Sequence, residues 1–333
     1  AAGIEAIVFS EVKANPTEDN VRQALSVYKD QGCDWLIGLG GGSSIDVAKA
    51  VRVMCSHSGQ IEDYYAANGG IERITPQMPP LAAIPTTSGT GSEVSPASLL
   101  TNTEKKTKLA FFSFFLYPTL AVIDPEMTLA CPPALTAASG MDALVHNIEA
   151  LTAIGDDPLG EATAAWGIKY IAESLRQAVA DGSDIEARTR MAYGSYLGGL
   201  APDFNLLGIA HGLSHQISAV FDTPHGVGNA IMIPHVMRFN LASPTAKAKM
   251  RWVAAFMGRD VSGLNDGQAA EAAIEAVERL SQKIGIPKGI GQVGVDRDQF
   301  ELLAEMAMKD VCTHTNPVKV DPAQLVKVLE AAY

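Results

Sequence analysis

Apolar positions in the first third of the chain fall into short runs separated by stretches with helical spacing. Residues 4–9 (Ile4-Glu5-Ala6-Ile7-Val8-Phe9) read as a strand. Asn15-Pro16-Thr17 then opens a helix that sets Val21, Leu25 and Tyr28 near one face and stops at Gly32. A second strand over 34–39 runs straight into Gly40-Gly41-Gly42-Ser43. A helix follows over 45–54, and the apolar runs 81–84 and 120–123 read as further buried strands. Strands alternating with helices predict a mostly parallel sheet covered on both faces. After about Leu135 alanine-rich segments of period 3.6 take over, at 159–180, 186–200, 245–257, 268–284, 297–308 and 322–332. The expectation is an α/β domain over 1–134 and an all-helical domain over 135–333, joined in the proline-containing stretch 124–133. The 333 residues suit two domains at roughly 150 residues each.

Composition narrows the classes. Lys and Arg number 25 against 37 Asp and Glu, a formal net charge of −12. That sign repels phosphate backbones and anionic membrane surfaces, so nucleic acid and membrane are not expected partners. With 47% apolar and 19% charged residues the chain has ample material for a buried interior. Cys33, Cys55, Cys131 and Cys312 form no close pair, which offers neither a zinc ribbon nor a small disulfide framework. The longest apolar stretch, 109–123, includes Ser113, Pro118 and Thr119 and falls short of the ~20 residues a bilayer crossing needs. It reads as buried chain or an interface, and its Phe111 to Phe115 cluster as packing or a subunit contact. The start shows no basic leader followed by an apolar run, so a cytoplasmic location is expected.

Two loops carry candidate chemistry. Glycines after a strand let the backbone approach a pyrophosphate, and the amides of the next helix point at its oxygens. Gly40-Gly41-Gly42-Ser43 fits that description without being a GxGxxG fingerprint, and alone such a turn is often only a tight turn. Pro85-Thr86-Thr87-Ser88-Gly89-Thr90-Gly91-Ser92-Glu93 also follows an apolar run and is dense in hydroxyls. Two such loops on neighbouring parallel strands reach the same carboxyl edge, where α/β sheets bind ligands, and together they favour a dinucleotide.

Four of the seven histidines, His146, His211, His215 and His225, cluster in the helical half beside Asp142. Asp142 and His146 are four apart and therefore share a helical face, as do His211 and His215. With His225 on the loop Thr223-Pro224-His225-Gly226, they can surround one divalent cation with a carboxylate and several imidazoles. Any one of them alone is more simply an ordinary half-buried histidine. No Glu follows His211, so the zinc-protease arrangement is absent. Cys131 lies beside Pro132 and Pro133 with no His nearby in sequence and reads as a free thiol.

These segments, together with Asp46 and Lys49, Val122-Ile123-Asp124-Pro125-Glu126 and Gly140-Met141-Asp142-Ala143-Leu144-Val145-His146, occur in an order that resembles the iron-containing (group III) NAD(P)-dependent alcohol dehydrogenases over essentially the whole chain. The resemblance implies a Rossmann-like parallel-sheet domain followed by a helical domain, the dehydroquinate synthase-like architecture. It implies Asp142, His146, His211 and His225 as metal ligands and puts His215 near the nicotinamide, whereas spacing alone pairs His215 with His211. It implies Gly41, Gly42 and Ser43 at the pyrophosphate, Thr86, Thr87, Lys108 and Leu135 as further cofactor contacts, and Asn15 on the adenosine side. Fe(2+) is the implied metal, with Zn(2+) or another divalent cation compatible with the donor set, and a homodimer or larger homo-oligomer is the implied assembly. The resemblance also implies a leading strand and helix of roughly 50 residues ahead of the segment that starts at Gly3. That leg is expected to carry the residue that helps separate NAD from NADP, and a sheet lacking it is expected to expose an unpaired strand edge.

The implied reaction moves a hydride between a small primary alcohol or diol and the nicotinamide, with a cation polarising the oxygen. His215 is the expected proton relay, since an imidazole exchanges protons near neutrality. The alternatives are a polyol (glycerol-type) dehydrogenase, a metal-dependent hydrolase whose glycine loop binds a phosphate ester, and a nucleotide-binding protein without turnover.

Overall fold

A computed structural model describes residue 3, residues 5–102 and residues 107–333. Helix α1 (Glu18–Asp30) starts from Thr17, whose side chain forms a reciprocal capping box with Asn20. Strand β1 (Leu36–Gly40) leads into α2 (Gly42–Ser56), and β2 (Leu81–Pro85) follows after three short 3-10 turns. Then come β3 (Ala97–Asn102), β4 (Thr107–Phe112) and the two-residue β5 (Leu120–Ala121). Strands β1, β2 and β5 form a parallel sheet in that order, while β3 and β4 make a separate antiparallel pair. Register pairs Gly40 with Pro85, so both chemistry-bearing loops leave the sheet at one carboxyl edge.

Three expectations change. Ile4 lies outside the described residues, and 5–9 are not a strand. Ile7 and Val8 are 47% and 82% exposed with no ladder beside them, and a β-rich run gains little without a neighbour to pack on. Among the described residues the sheet is not covered on both faces, because Trp35, Ile37 and Leu39, successive positions on one side of the β1 segment, are each more than half exposed. The run 109–123 is divided among β4, a 3-10 turn and β5. Within it Phe111 is fully buried against Tyr65, whereas Phe114 and Phe115 are exposed.

Helices α3 (Pro133–Thr152), α4 (Pro158–Ala180), α5 (Ile185–Asn205), α6 (Ile209–Phe221), α7 (His225–Asn240), α8 (Pro244–Phe256), α9 (Asp266–Lys283), α10 (Phe300–Ala307) and α11 (Pro322–Ala331) build the rest. The expected segment at 297–308 begins as a 3-10 turn before α10. Two compact units result. One comprises residues 1–85 and 92–123, with a core around Val21, Val51, Tyr65 and Leu100. The other comprises residues 86–91 and 124–333, with a core around Met141, Leu144, Ile148, Ile168, Ile217 and Met232. The division thus falls at 123/124 rather than 134/135. The loop 86–91 goes with the helices for a local reason: Gly91 has φ +61°, and a Cβ there would stand 2.4 Å from Gly199 Cα on α5. No helix among the described residues is long and apolar enough to cross a membrane.

Candidate functional site

Helix α3 is apolar on nearly every side, which makes its buried polar residues conspicuous. Asp142, His146 and Glu149 fall at i, i+4 and i+7 along one stripe. His146 Nδ1 lies 2.9 Å from the Asp142 carbonyl oxygen, which engages one ring nitrogen inside the helix and leaves Nε2 to point elsewhere.

Glu149 meets the start of α6. Its carboxylate accepts the Ala210 amide (2.7 Å) and the His211 amide (3.4 Å), so α3 supplies an acidic cap to the N-terminus of α6. The same carboxylate sits 2.6 Å from His211 Nδ1. That contact turns Nε2 of His211 towards Asp142, where it is buried and has no hydrogen-bond partner among the described residues. Burial pushes the Glu149 carboxyl up to about 7, against the pull of the amides of Ala210, Gly208 and His211. Burial, and then the neighbouring His146, hold His211 well below the usual imidazole range. Both shifts favour a neutral imidazole, the form that offers a lone pair. Sequence reasoning missed Glu149, although its place on the Asp142–His146 stripe was the available signal. Glu149→Gln is expected to lower cation affinity roughly 10-fold, the mild end of what removing an outer-shell partner does. An amide must turn a donor towards either an N–H or the His211 ring. Cation retention against a graded chelator series checks this, and unchanged retention would refute it.

His225 does not lie on a loop but is the first residue of α7. Helix α6 ends at Phe221, and Asp222 turns the chain with φ +54°. Ser218 Oγ donates to the Thr223 carbonyl (2.9 Å), and Pro224 caps α7. The short turn carries His225 back against α6, where Ser214 Oγ donates to its carbonyl (3.1 Å) and lies 3.3 Å from its Nδ1. One turn further on, Asn229 Nδ2 is 2.7 Å from Asp142 Oδ1 and 3.0 Å from His225 Nε2.

These contacts converge on one oxygen. Asp142 Oδ1 lies 3.8 Å from His146 Nδ1, 3.9 Å from His211 Nε2 and 3.5 Å from His225 Nε2. Ligand atoms of Asp142, His146 and His211 all fall within 4.8 Å of one another. Donors on a tetrahedral ion with bonds of about 2.1 Å stand roughly 3.4 Å apart, so this group is slightly wider than a filled site and closing it on a cation takes side-chain movements of about 1 Å. One carboxylate with three imidazoles suits a first-row divalent ion.

His215 is not turned into that group. Its Nδ1 is 2.8 Å from Asp310 Oδ2, which also accepts from Gln216 Nε2 (3.2 Å). Burial raises the Asp310 carboxyl, but the charge and hydrogen bond of His215 and the amide of Cys312 outweigh it, and the net direction is downward. Asp310 was invisible to sequence reasoning because 95 residues separate it from His215. The His215 ring stacks on that of His225 with centroids 5.0 Å apart.

The residues expected at a dinucleotide divide between the units. In the first, Gly41 caps α2, and helix geometry leaves the amides of Gly42 and Ser43 without intrahelical acceptors. Ser43 Oγ donates to the Ala14 carbonyl (2.6 Å), so its hydroxyl proton is already committed. Lys108 Nζ donates to Asn15 Oδ1 (3.3 Å), which joins those two candidates. Asp46 and Lys49 brace the same helix: Asp46 accepts from Ser92 and Leu99, and Lys49 donates to the carbonyls of Ser95 and Ala97. In the second unit, Thr86 and Thr87 begin the loop packed on the helices, and Leu135 is half exposed in the first turn of α3.

Comparison with known proteins identifies the family. Residues 1–125 match the family described as iron-containing alcohol dehydrogenase, and residues 136–333 match the C-terminal part of the Fe-containing alcohol dehydrogenase family. Over its full length the chain is 41% identical to the 1,3-propanediol dehydrogenase of Klebsiella pneumoniae, covering 84% of that protein. It is 40% identical to the NAD-dependent methanol dehydrogenase of Bacillus methanolicus, with 98% of this chain and 85% of that one covered. A crystal structure of a 1,3-propanediol oxidoreductase matches with a TM-score of 0.95 at 41% identity, covering 100% of this chain and 85% of the other. The chain belongs to the iron-containing alcohol dehydrogenase family and is an alcohol oxidoreductase.

Proposed function

We propose that Asp142, His146, His211 and His225 hold one divalent cation, Fe(2+) in the first place and Zn(2+) as the alternative, and that the enzyme interconverts a small primary alcohol or diol and its aldehyde with NAD(H) or NADP(H). The observation that carries this reading is the orphaned, buried Nε2 of His211, 3.9 Å from a carboxylate oxygen and held there by Glu149. A buried polar atom without a partner costs free energy that a bound cation recovers.

When bound, the cation stabilises negative charge on the substrate oxygen and the nicotinamide exchanges the hydride. The chain's own residues do the rest. Glu149 fixes the ring of His211, and Asn229 holds the Asp142 carboxylate by its Nδ2. His215, with Nδ1 engaged by Asp310, keeps Nε2 to accept or release the proton of the substrate hydroxyl. The amides of Gly42 and Ser43 at the start of α2 take the pyrophosphate, with Gly41 leaving room for its approach. Asn15 is assigned to the adenosine side, and Thr86, Thr87, Lys108 and Leu135 are the further cofactor contacts the resemblance implies.

The dinucleotide is thus assigned to the α/β part, expected at 1–134, and the cation to the helical part, expected at 135–333. A cytoplasmic setting is proposed, in keeping with four free cysteines, and a homodimer is proposed from the family resemblance alone. The names of the relatives direct the substrate test to 1,3-propanediol, methanol and their aldehydes, with glycerol for the polyol alternative. Nicotinamide absorbance should change with a primary alcohol or aldehyde, stop after anaerobic chelation and return with Fe(2+). Turnover indifferent to chelation would overturn the reading.

A further inference from the structure

A second group of side chains of metal-ligating type lies in the helical unit, distinct from the four residues assigned above. His215 on α6, Asp310 and Cys312 bring an imidazole nitrogen, a carboxylate oxygen and a thiol sulfur within 4.8 Å of one another. Asp310 caps the 3-10 turn Val311–Thr315 and accepts the Cys312 amide (3.0 Å), which places acid and thiol on one short, fixed turn. That turn is tied down: Thr315 Oγ1 lies 2.7 Å from the Leu207 carbonyl and 3.0 Å from that of Cys312, which share its one proton, and the Thr315 carbonyl accepts the Ile154 amide (3.1 Å). The group therefore spans α6 and an anchored segment about 95 residues away in sequence.

We infer that His215, Asp310 and Cys312 form a second site, for a thiophilic divalent cation of the zinc type, and that filling it withdraws His215 from proton transfer. The chemistry differs from that of the first group in one respect that matters. Asp142, His146, His211 and His225 offer only oxygen and nitrogen, whereas Cys312 adds sulfur, which selects zinc-like and softer ions. A thiolate and a carboxylate neutralise a divalent charge, and the imidazole completes three protein donors with a position left for water. Donors on such an ion stand roughly 3.3–3.8 Å apart, so closing the site takes a side-chain movement of about 1 Å. Binding breaks the His215–Asp310 hydrogen bond. The Cys312 thiol releases one proton to solvent, and the proton on His215 Nδ1 moves to Nε2, the atom the relay needs as an acceptor.

Cobalt(II) is the probe, because only a thiolate ligand gives it a near-ultraviolet sulfur-to-metal absorption. Titrated anaerobically into the metal-free full chain, Co(2+) should bind in two equivalents. The thiolate band should belong to one of them alone and disappear in both Cys312→Ser and Cys312→Ala, two variants that guard against a single folding failure. No thiolate band in the wild type, or a band that survives both substitutions, overturns the site. The second half of the inference rests on the relay assigned to His215. On iron-loaded enzyme, Zn(2+) should inhibit reversibly, and Cys312→Ser should need at least about tenfold more. A thiolate band without zinc inhibition overturns that half. Asp142→Ala separates this inference from the first: it should remove the equivalent without the band and keep the one with it. If instead both equivalents survive, the assignment of Asp142 fails while the thiol site stands.

Discussion

Replacing Asp142 with Ala should abolish cation retention and lower kcat/KM by roughly 10³-fold or more, because charge stabilisation by a bound metal is worth several kcal/mol and each 1.4 kcal/mol is a factor of ten. Asp142 is the hub of the group: its Oδ1 lies 3.5–3.9 Å from a ring nitrogen of each of the three histidines and 2.7 Å from Asn229 Nδ2. Without it three imidazoles remain, with no anionic ligand to offset a divalent charge directly. The fold itself should persist, since the packing of α3 rests on Met141, Leu144, Val145 and Ile148. Two measurements separate loss of the centre from loss of the protein. The rise in melting temperature that Fe(2+) or Co(2+) produces in the wild type should vanish, because a ligand stabilises only the state it binds. NADH affinity should stay within a few-fold, since the residues assigned to it lie elsewhere. A variant that keeps its stoichiometric cation and turns over within tenfold of the wild type would remove Asp142 from the centre.

The helical spacing of Asp142 and His146 was legible because both sit in one uninterrupted helix, where four residues make one turn. The same rule reaches Glu149 at i+7, so that position was within reach of sequence reasoning, whereas Asn229, four beyond His225, was not, since His225 was expected on a loop. Asp310 was not, because nothing local links a 3-10 turn near the C-terminus to α6. His225 was expected on a loop because Thr223-Pro224 is a strong turn signal. In the structure that signal marks the entry to α7, with Pro224 as cap and His225 as the first helical residue. In the α/β part, β1, α2 and β2 follow their apolar runs closely, and the register of β1 and β2 brings both loops to one edge as expected. The β3–β4 pair escaped notice for the opposite reason. Most of β4 reads as part of the apolar stretch 109–123, β3 does not read as a strand at all, and antiparallel pairing at 97–102 depends on a partner strand that local periodicity does not reveal. The run 4–9 shows the limit from the other side, since β-rich composition does not make a strand without a neighbour.

Geometry behind the centre can be tested without touching a proposed ligand. Gly226 follows His225 in the first turn of α7, and a Cβ built there would stand 2.2 Å from the Ala138 carbonyl oxygen and 3.3 Å from Asp142 Cβ. Both neighbours belong to α3, and a carbonyl within a helix cannot swing aside as a flexible side chain can. In an ordinary helix Gly→Ala stabilises by up to about 1 kcal/mol, so propensity alone predicts a more stable protein. Here the sign should reverse, because α7 must back away from α3 to admit the methyl group. That displacement carries His225 away from Asp142 Oδ1, which lies only 3.5 Å from its Nε2. A misplacement of about 1 Å costs on the order of 10²-fold in rate where positioning matters, and Gly226→Ala is expected to lower kcat/KM by that amount. Cation affinity should fall alongside, and the metal-free protein should melt at a lower temperature. Gly226→Ala with wild-type melting and wild-type turnover would mean that the contact between α3 and α7 yields freely. The position of His225 would then be set by the Ser214 contacts and the Pro224 turn alone.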